Sequence, residues 1–149
     1  MNHPMTISFG TRMLEIATEV KVSVAYDEIR QPKLPHPRFE TCRALWDTGA
    51  MSSVITPALA SRLGLKSLGL SLMQHTNGKV LVNTYAINLL LPNKMEVKTL
   101  YVMEGAMEDT DVLIGMDVIT LCDFAVTNKD GKTLFSFDIP SCHETDYTK

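Results

Sequence analysis

The chain has 149 residues, of which 45% are hydrophobic, which is enough for one compact domain with a buried core. The formal net charge is -3 and acidic and basic residues are mixed along the chain, so nothing in the charge pattern favours a nucleic-acid partner. The N-terminal stretch lacks the basic and apolar regions of a signal peptide, and no apolar stretch is long enough to span a bilayer. We therefore expect a cytoplasmic protein without a membrane partner.

The cysteine pattern indicates reduced thiols. Cys42, Cys122 and Cys142 are an odd number without Cys-x-x-Cys spacing, and Cys42 falls in a predicted strand. Cys142 is followed by His143, but nothing near them in the sequence completes a set of metal ligands. We expect no metal site.

Strand patterns dominate the first third of the chain. Hydrophobic residues alternate from 19 to 26, which predicts a strand with one buried face. Three prolines within 31–38 predict a loop. Apolar runs at 41–46 and 53–55 predict two further strands, which flank Asp47.

A helix of about two turns is predicted next, with Thr56 as its N-cap and Gly64 as its C-terminal stop. Residues 70–82 then have the pattern of a β-hairpin, with Asn77 and Gly78 as the central residues of a type I′ turn.

The rest of the chain also reads as strands and turns. The phase of the apolar residues changes near 83–84, which predicts a β-bulge there. The remaining predicted features are a turn at 92–93, strands at 95–103 and from 111, and a final hairpin formed by 123–128 and 133–139. Because helices do not alternate with the strands, a parallel α/β sheet is excluded and an all-β, antiparallel, barrel-like fold is predicted.

Two motifs stand at the ends of apolar strands. An Asp-x-Gly sequence alone is ordinary turn chemistry, but here LWDTGA (45–50) ends one apolar run and VLIG (112–115) ends another about 65 residues later. In this order the motifs resemble those of the retropepsin-like aspartic protease family, and the segments GMD and DFAVTN resemble its bacterial members more than its viral ones. The resemblance spans roughly residues 20 to 137.

The resemblance implies a single domain over residues 1–149, with a core at about 19–139. The implied fold is a closed barrel of mostly antiparallel strands with one or two short helices and a flap hairpin. The implied function is that of an aspartic endopeptidase acting on a peptide or protein substrate, without a metal or cofactor. Val54, Ile55 and Leu113 suggest apolar substrate pockets.

Asp47 is the catalytic residue that the resemblance implies. This family needs two facing carboxylates, and the chain has one DTG motif, so a homodimer would bring two copies of Asp47 together to share a proton. By the same resemblance, Thr48 would link the two catalytic loops, Gly49 and Ala50 would shape the loop, and Gly115 would pack behind it.

The flap tip and one loop contact depart from the viral pattern. Asn77, Gly78 and Lys79 would form a flap tip that lacks the several glycines of viral flaps. Met51 and Met116 occupy positions where viral members often carry an acid and an arginine that pair, so we expect an apolar contact in place of that ion pair.

Two other functions remain open. The chain could be a non-catalytic retropepsin-like module for dimerisation or protein binding, or an unrelated small-ligand β-barrel in which DTG is only a turn. The terminal segments 1–17 and 141–149 do not obviously supply the interleaved strands of viral dimers, so the strand at 133–139 is a candidate for the interface.

Overall fold

The computed structural model describes residues 2–30, 32 and 35–149, apart from the side chain of His75. Its two α-helices are short, α1 (Pro57–Leu63) and α2 (Met116–Ile119). In these ranges no helix combines the length and apolar character needed to cross a bilayer. The strands are β1 (Met5–Ser8), β2 (Ile16–Val24), β3 (Glu40–Trp46), β4 (Val54–Ile55), β5 (Gly69–His75), β6 (Gly78–Leu90), β7 (Glu96–Glu104), β8 (Val112–Ile114), β9 (Asp123–Thr127) and β10 (Leu134–Asp138).

Six strands form a closed ring in the order β2-β3-β8-β4-β7-β6, and the pairing of β2 with β6 completes it. Most neighbours are antiparallel, whereas β3–β8 and β4–β7 are parallel. The strand β5 pairs with the first half of β6 outside the ring and forms a hairpin. The predicted fold class, a closed barrel of mostly antiparallel strands with short helices and a flap-like hairpin, is confirmed.

The chain termini form a second sheet in the order β1-β10-β9. The N-terminal segment, which did not look like a strand in the sequence, pairs antiparallel with β10 of its own chain. Both backbone edges of β10 are therefore occupied. The strand at 133–139 cannot extend a sheet into a partner chain through either edge, because the exposed edges of this sheet belong to β1 and β9.

An aromatic cluster joins the terminal sheet to the ring. Trp46, the last residue of β3, contacts three phenylalanines of β9 and β10, with ring-centroid distances of 6.0 Å to Phe124, 5.1 Å to Phe135 and 5.2 Å to Phe137. The buried indole N–H of Trp46 donates a hydrogen bond to Thr18 Oγ1 at 2.9 Å. The terminal sheet thus packs directly behind the residue that precedes Asp47.

The helix α1 begins and ends as its sequence predicts. Thr56 Oγ1 accepts a hydrogen bond from the Leu59 N–H at 3.2 Å, and Gly64 ends the helix at φ +65°. Asp111, just before β8, accepts bonds of 2.8 Å from both Thr56 Oγ1 and Arg62 Nη2. Burial raises the pKa of Asp111, but the hydrogen bonds from Arg62 and Thr56 and the positive charge of Arg62 together lower it more, so the net shift is downward.

Two sequence predictions about the hairpin region were wrong in detail. His75 pairs with Gly78, so the two turn residues are Thr76 and Asn77, and Gly78 opens β6 at φ +114°. The irregularity in β6 lies at 87–89 rather than at 83–84. The phase of the apolar residues changes at 84 because two parts of β6 meet there. Residues before 84 pair with β5 in the exposed hairpin, and residues from 84 onward pair with β7 in the ring.

The remaining predicted elements are present. Cys42 lies buried in β3, and the three cysteines are unpaired. Residues 92–93 form a turn. The predicted loop at 31–38 lies partly outside the described residues, and its described positions contain no helix or strand.

Replacing Phe135 by Ala should lower the free energy of unfolding by about 3–5 kcal/mol, because this fully buried ring fills the junction between the two sheets. Its cross-strand neighbour Val126 is 37% exposed, so Val126→Ala should cost less than about 1 kcal/mol. Urea unfolding followed by circular dichroism measures both. Equal losses would mean that the aromatic cluster does not hold the terminal sheet.

Candidate active site

Asp47 follows β3 directly, and the backbone fixes its position. Its N–H donates to the Ile114 carbonyl at 2.8 Å, which continues the pairing of β3 with β8 by one residue. The Asp47 carbonyl accepts from the Ala50 N–H at 3.3 Å, and Asp47 Oδ1 accepts from the Gly49 N–H at 2.8 Å. The turn therefore orients a half-buried carboxylate at the end of a buried strand.

Two glycines leave no room for a side chain in this turn. A Cβ at Gly49 would lie 3.1 Å from Asp47 Oδ1 and would crowd the carboxylate. A Cβ at Gly115 would lie 2.8 Å from the Ser52 carbonyl and 2.9 Å from the Ala50 carbonyl oxygen. Because those atoms belong to the backbone, they cannot move aside cheaply. Gly115 thus lies directly behind the DTGA turn.

Hydrogen bonds from the start of α2 brace the same turn. The Met116 N–H donates to the Ala50 carbonyl at 2.7 Å, and the Asp117 N–H donates to the Met51 carbonyl at 3.1 Å. The VLIG segment and the DTGA turn are consequently one hydrogen-bonded unit, although about 65 residues separate them.

A buried serine and an acid strengthen this unit, and sequence reasoning missed both. Ser53 is fully buried; its N–H and Oγ donate to Asp117 at 2.9 and 2.7 Å. Ser53 Oγ also accepts from the Gly115 N–H at 3.1 Å. The sequence held a signal, since an acid in the first turn of a helix often accepts hydrogen bonds from nearby backbone N–H groups.

The expected apolar contact between Met51 and Met116 is wrong for this chain. Met51 is 86% exposed, so its side chain does not pack against the partly buried Met116. The contact between the two loops is made instead by Ser53 and Asp117. Where viral members often have an ion pair, this chain has the hydrogen-bonded pair Ser53 and Asp117, and Asp117 is one position after Met116.

The surface beside the turn is open. Thr48 and Gly49 are exposed to solvent. A groove of about 700 Å³ adjoins Thr48 and Met116 and runs along the terminal sheet, whereas Asp47 lines a separate, smaller cavity of about 320 Å³. Of these two cavities, the larger one therefore lies next to the carboxylate rather than around it.

The β5–β6 hairpin carries Asn77, Gly78 and Lys79 at its exposed end. At its base, the Tyr85 hydroxyl donates to Glu104, and this hydrogen bond together with burial raises the pKa of Tyr85 to about 12. Nearby, a Cβ at Gly105 would lie 2.8 Å from Val54 Cγ1 and 3.5 Å from Met73 Cε. The glycine lets the hairpin strand β5 approach β4 next to the DTGA turn.

Comparison with known proteins identifies the class to which this fold and site belong. The family described as "gag-polyprotein putative aspartyl protease" matches residues 39–120, which include the DTGA turn, the hairpin and the VLIG segment. No curated protein sequence gives a significant match.

Two solved proteases share the fold at low sequence identity, and a third solved structure is less similar. A retropepsin-like aspartic protease from Rickettsia conorii is 12% identical with a TM-score of 0.56, and the match covers 93% of this chain and 94% of that one. The EIAV protease complexed with an inhibitor is 20% identical with a TM-score of 0.51, covering 70% and 85%. The retroviral protease-like domain of Ddi1 from Leishmania major is 16% identical with a TM-score of 0.46, covering 84% and 94%.

The chain belongs to the retropepsin-like aspartic protease family. The family match spans more than half of the chain and contains both motifs on which the resemblance depended.

Removing either partner of the Ser53–Asp117 pair should destabilise the fold. Ser53→Ala and Asp117→Asn should each lower the free energy of unfolding by about 1–3 kcal/mol, because buried hydrogen-bonding groups lose their partners. Met51→Asp is the control and should change it by less than about 0.5 kcal/mol, because this side chain is exposed. Chemical denaturation measures all three, and a larger effect of Met51→Asp would show that Met51 is packed after all.

Proposed function

We propose that the chain is an aspartic endopeptidase that is active as a symmetric homodimer, with one catalytic Asp47 from each subunit. The observation that carries this proposal is the braced DTGA turn, which holds a half-buried carboxylate beside the exposed Thr48 and Gly49. A rigid, hydrogen-bonded turn at the edge of an open cleft is half of a two-carboxylate site.

The proposed chemistry requires the second carboxylate. Two carboxylates a few ångströms apart cannot both ionise cheaply, so a pair of Asp47 side chains would share one proton. The ionised member would take a proton from a bound water as general base, and the protonated member would donate a hydrogen bond to the scissile carbonyl. The Gly49 N–H already donates to Oδ1 and would hold each carboxylate in the plane that it needs.

The neighbouring residues have supporting roles in this proposal. Thr48 would form hydrogen bonds with the partner's catalytic loop across the two-fold axis. Its side chain is exposed to solvent and is therefore accessible to a second chain. Ala50 and Gly115 would support the loop from behind. Asn77, Gly78 and Lys79 would cover bound substrate and exclude water when the hairpin closes.

The proposed substrate is an extended peptide that adds as a strand between the cleft and the hairpin, with apolar side chains entering pockets. Val54 and Leu113 are partly exposed and are available to line such pockets. Ile55 is not, because it is fully buried in the core, and the sequence-based suggestion for it was wrong.

Residues 1–149 would act as one domain, and the three unpaired cysteines support a cytoplasmic location.

Mixing experiments test whether two chains build one site. Asp47→Asn alone should lower peptide cleavage at acid pH by about 10²–10⁴-fold or more, because the dyad loses its general base. An equimolar mixture of wild type and Asp47→Asn, at constant total chain concentration, should retain about a quarter of the activity, since only wild-type pairs are competent. Retention of half would mean that each chain works alone. A folded dimer that cleaves no member of a broad peptide library would favour the non-catalytic binding module.

Thr48 should contribute to dimer stability rather than to the fold of one chain. Thr48→Val keeps the side-chain shape and removes the hydroxyl, and it should raise the dimer dissociation constant about tenfold, as expected for loss of hydrogen bonds at the axis. Thr48→Ser should restore wild-type affinity. Sedimentation velocity measures both, and an unchanged constant in Thr48→Val would remove Thr48 from the proposed interface.

A further inference from the structure

Four side chains with metal-binding atoms meet at the end of the terminal sheet, outside the candidate active site. Asp123 opens β9 and Asp138 closes β10, and antiparallel pairing sets these two residues directly opposite each other. The chain then turns back and brings Cys142 and His143 to the same place. One ligand atom from each of the four residues lies within 4.8 Å of all the others.

Backbone contacts hold the returning segment over the two acids. The Ser141 N–H donates to the Leu121 carbonyl at 3.0 Å. The N–H groups of Cys142 and His143 both donate to Asp123 Oδ2, at 2.9 and 2.8 Å. The segment is therefore fixed by its backbone, which leaves the thiol and the imidazole to project into the cluster.

Four of the six distances between ligand atoms of the cluster lie between 2.9 and 3.6 Å, and all six are within 4.8 Å. Cys142 Sγ lies 3.2 Å from His143 Nδ1 and 3.6 Å from Asp138 Oδ2. His143 Nδ1 lies 3.6 Å from Asp138 Oδ2 and 2.9 Å from Asp123 Oδ2. Zinc bonds of about 2.0–2.3 Å in a tetrahedron separate neighbouring ligand atoms by about 3.3–3.8 Å, so modest shifts of the four side chains would form the site.

The state of Asp138 is an independent indication that a cation is needed. Asp138 is only 5% exposed, and among the described residues its buried Oδ1 has no hydrogen-bond partner. Its Oδ2 accepts bonds from Asn2 Nδ2 at 3.1 Å and from the Cys142 thiol at 3.6 Å. A buried carboxylate that faces a second carboxylate is costly unless a positive charge compensates it. A divalent ion bound by this carboxylate would supply that charge.

We propose that Asp123, Asp138, Cys142 and His143 bind one divalent transition-metal ion of the zinc class. The mixture of thiolate, imidazole and carboxylate donors suits zinc and its neighbours, whereas calcium and magnesium take oxygen ligands. Four protein ligands without an open position are typical of a structural site rather than a catalytic one. Cys142 and His143 are exposed, which provides an entry path for the ion.

Asn2 is the outer partner of this site. Besides its bond to Asp138, its Nδ2 donates to the Pro140 carbonyl at 3.0 Å and lies 2.8 Å from Cys142 Sγ. A bound ion would therefore fasten the segments at both ends of the described chain to the β9–β10 hairpin. Asp123, Asp138 and His143 also line the groove that reaches Thr48, so the ion would stiffen the surface beside the proposed dimer axis.

Sequence reasoning did not expect this site, because nothing near Cys142 and His143 in the sequence completes a ligand set. The fold supplies the missing pair. Asp123 lies 19 positions and Asp138 lies 4 positions before Cys142, and the register of β9 with β10 sets the two acids opposite each other.

Metal titration of the full chain tests the proposal. The Asp47→Asn protein, chosen so that self-cleavage cannot interfere, is reduced, stripped with a chelator and titrated with Zn²⁺ or Co²⁺. We expect one ion per chain, an intense Co²⁺–thiolate absorption band, and a rise in the midpoint of thermal unfolding that the chelator reverses.

Single substitutions in the same background then identify the ligands. Cys142→Ser should abolish the thiolate band, and Cys142→Ser and His143→Gln should each weaken Zn²⁺ binding by at least about 100-fold, because loss of a ligand costs more than loss of an outer partner. Asn2→Ala should weaken it by about 10-fold. Cys42→Ala and Glu144→Gln are controls for a thiol and an acid outside the cluster and should bind as the parent does.

Several outcomes would overturn the proposal. These are no retained ion after gel filtration, a thiolate band that survives Cys142→Ser, or a band that disappears with Cys42→Ala. Circular dichroism establishes that each variant is folded; because Cys142 and His143 are exposed, their replacement should leave the fold intact. The readouts do not involve cleavage, so the metal proposal and the protease proposal can fail separately.

Discussion

The close contact between Gly115 and the backbone of the DTGA turn is the constraint on which the active-site half of the molecule depends. A single additional carbon at Gly115 would meet two backbone carbonyl groups at less than 3 Å. This contact lets the start of α2 donate to the carbonyls of Ala50 and Met51, and it brings Asp117 within reach of Ser53. These bonds, together with the one from the Gly49 N–H to Oδ1, position the carboxylate of Asp47.

The closed ring explains why this arrangement is rigid. The strands β3 and β8, which carry the two motifs, are parallel neighbours within the ring, and antiparallel pairing with β2 and β4 supports them on either side. Trp46 then anchors the end of β3 against the phenylalanines of the terminal sheet. The arm formed by β5 and the first half of β6 lies outside the ring, so the strand pairing that holds the DTGA turn does not include it.

The terminal sheet sets limits on how two chains can meet. Its central strand β10 has both edges occupied within the chain, which leaves β1 and β9 as the edges available to a partner. The proposed metal site lies at one end of this sheet, and the groove between that end and Thr48 follows the same surface. Under both proposals, the surface that stabilises the chain termini is also the one that a second subunit would approach.

Much of the fold could be predicted from local sequence signals. Alternation defined β2, the Thr56 and Gly64 caps defined α1, and the two motifs indicated the family, because each signal depends on residues that are close in sequence. The hairpin turn was misplaced by one residue, since register depends on pairing along the whole hairpin rather than on the turn dipeptide alone.

The sequence by itself thus determined most of the strands, the ends of α1 and the carboxylate at the end of β3. Only the tertiary structure decided which distant side chains meet. It replaced an expected Met51–Met116 contact with Ser53–Asp117, and it set Asp123 and Asp138 beside Cys142. The physical reason is that hydrophobic periodicity specifies which face of a strand is buried. Strand register and the path of the chain after each strand specify which polar groups come into contact at the strand ends.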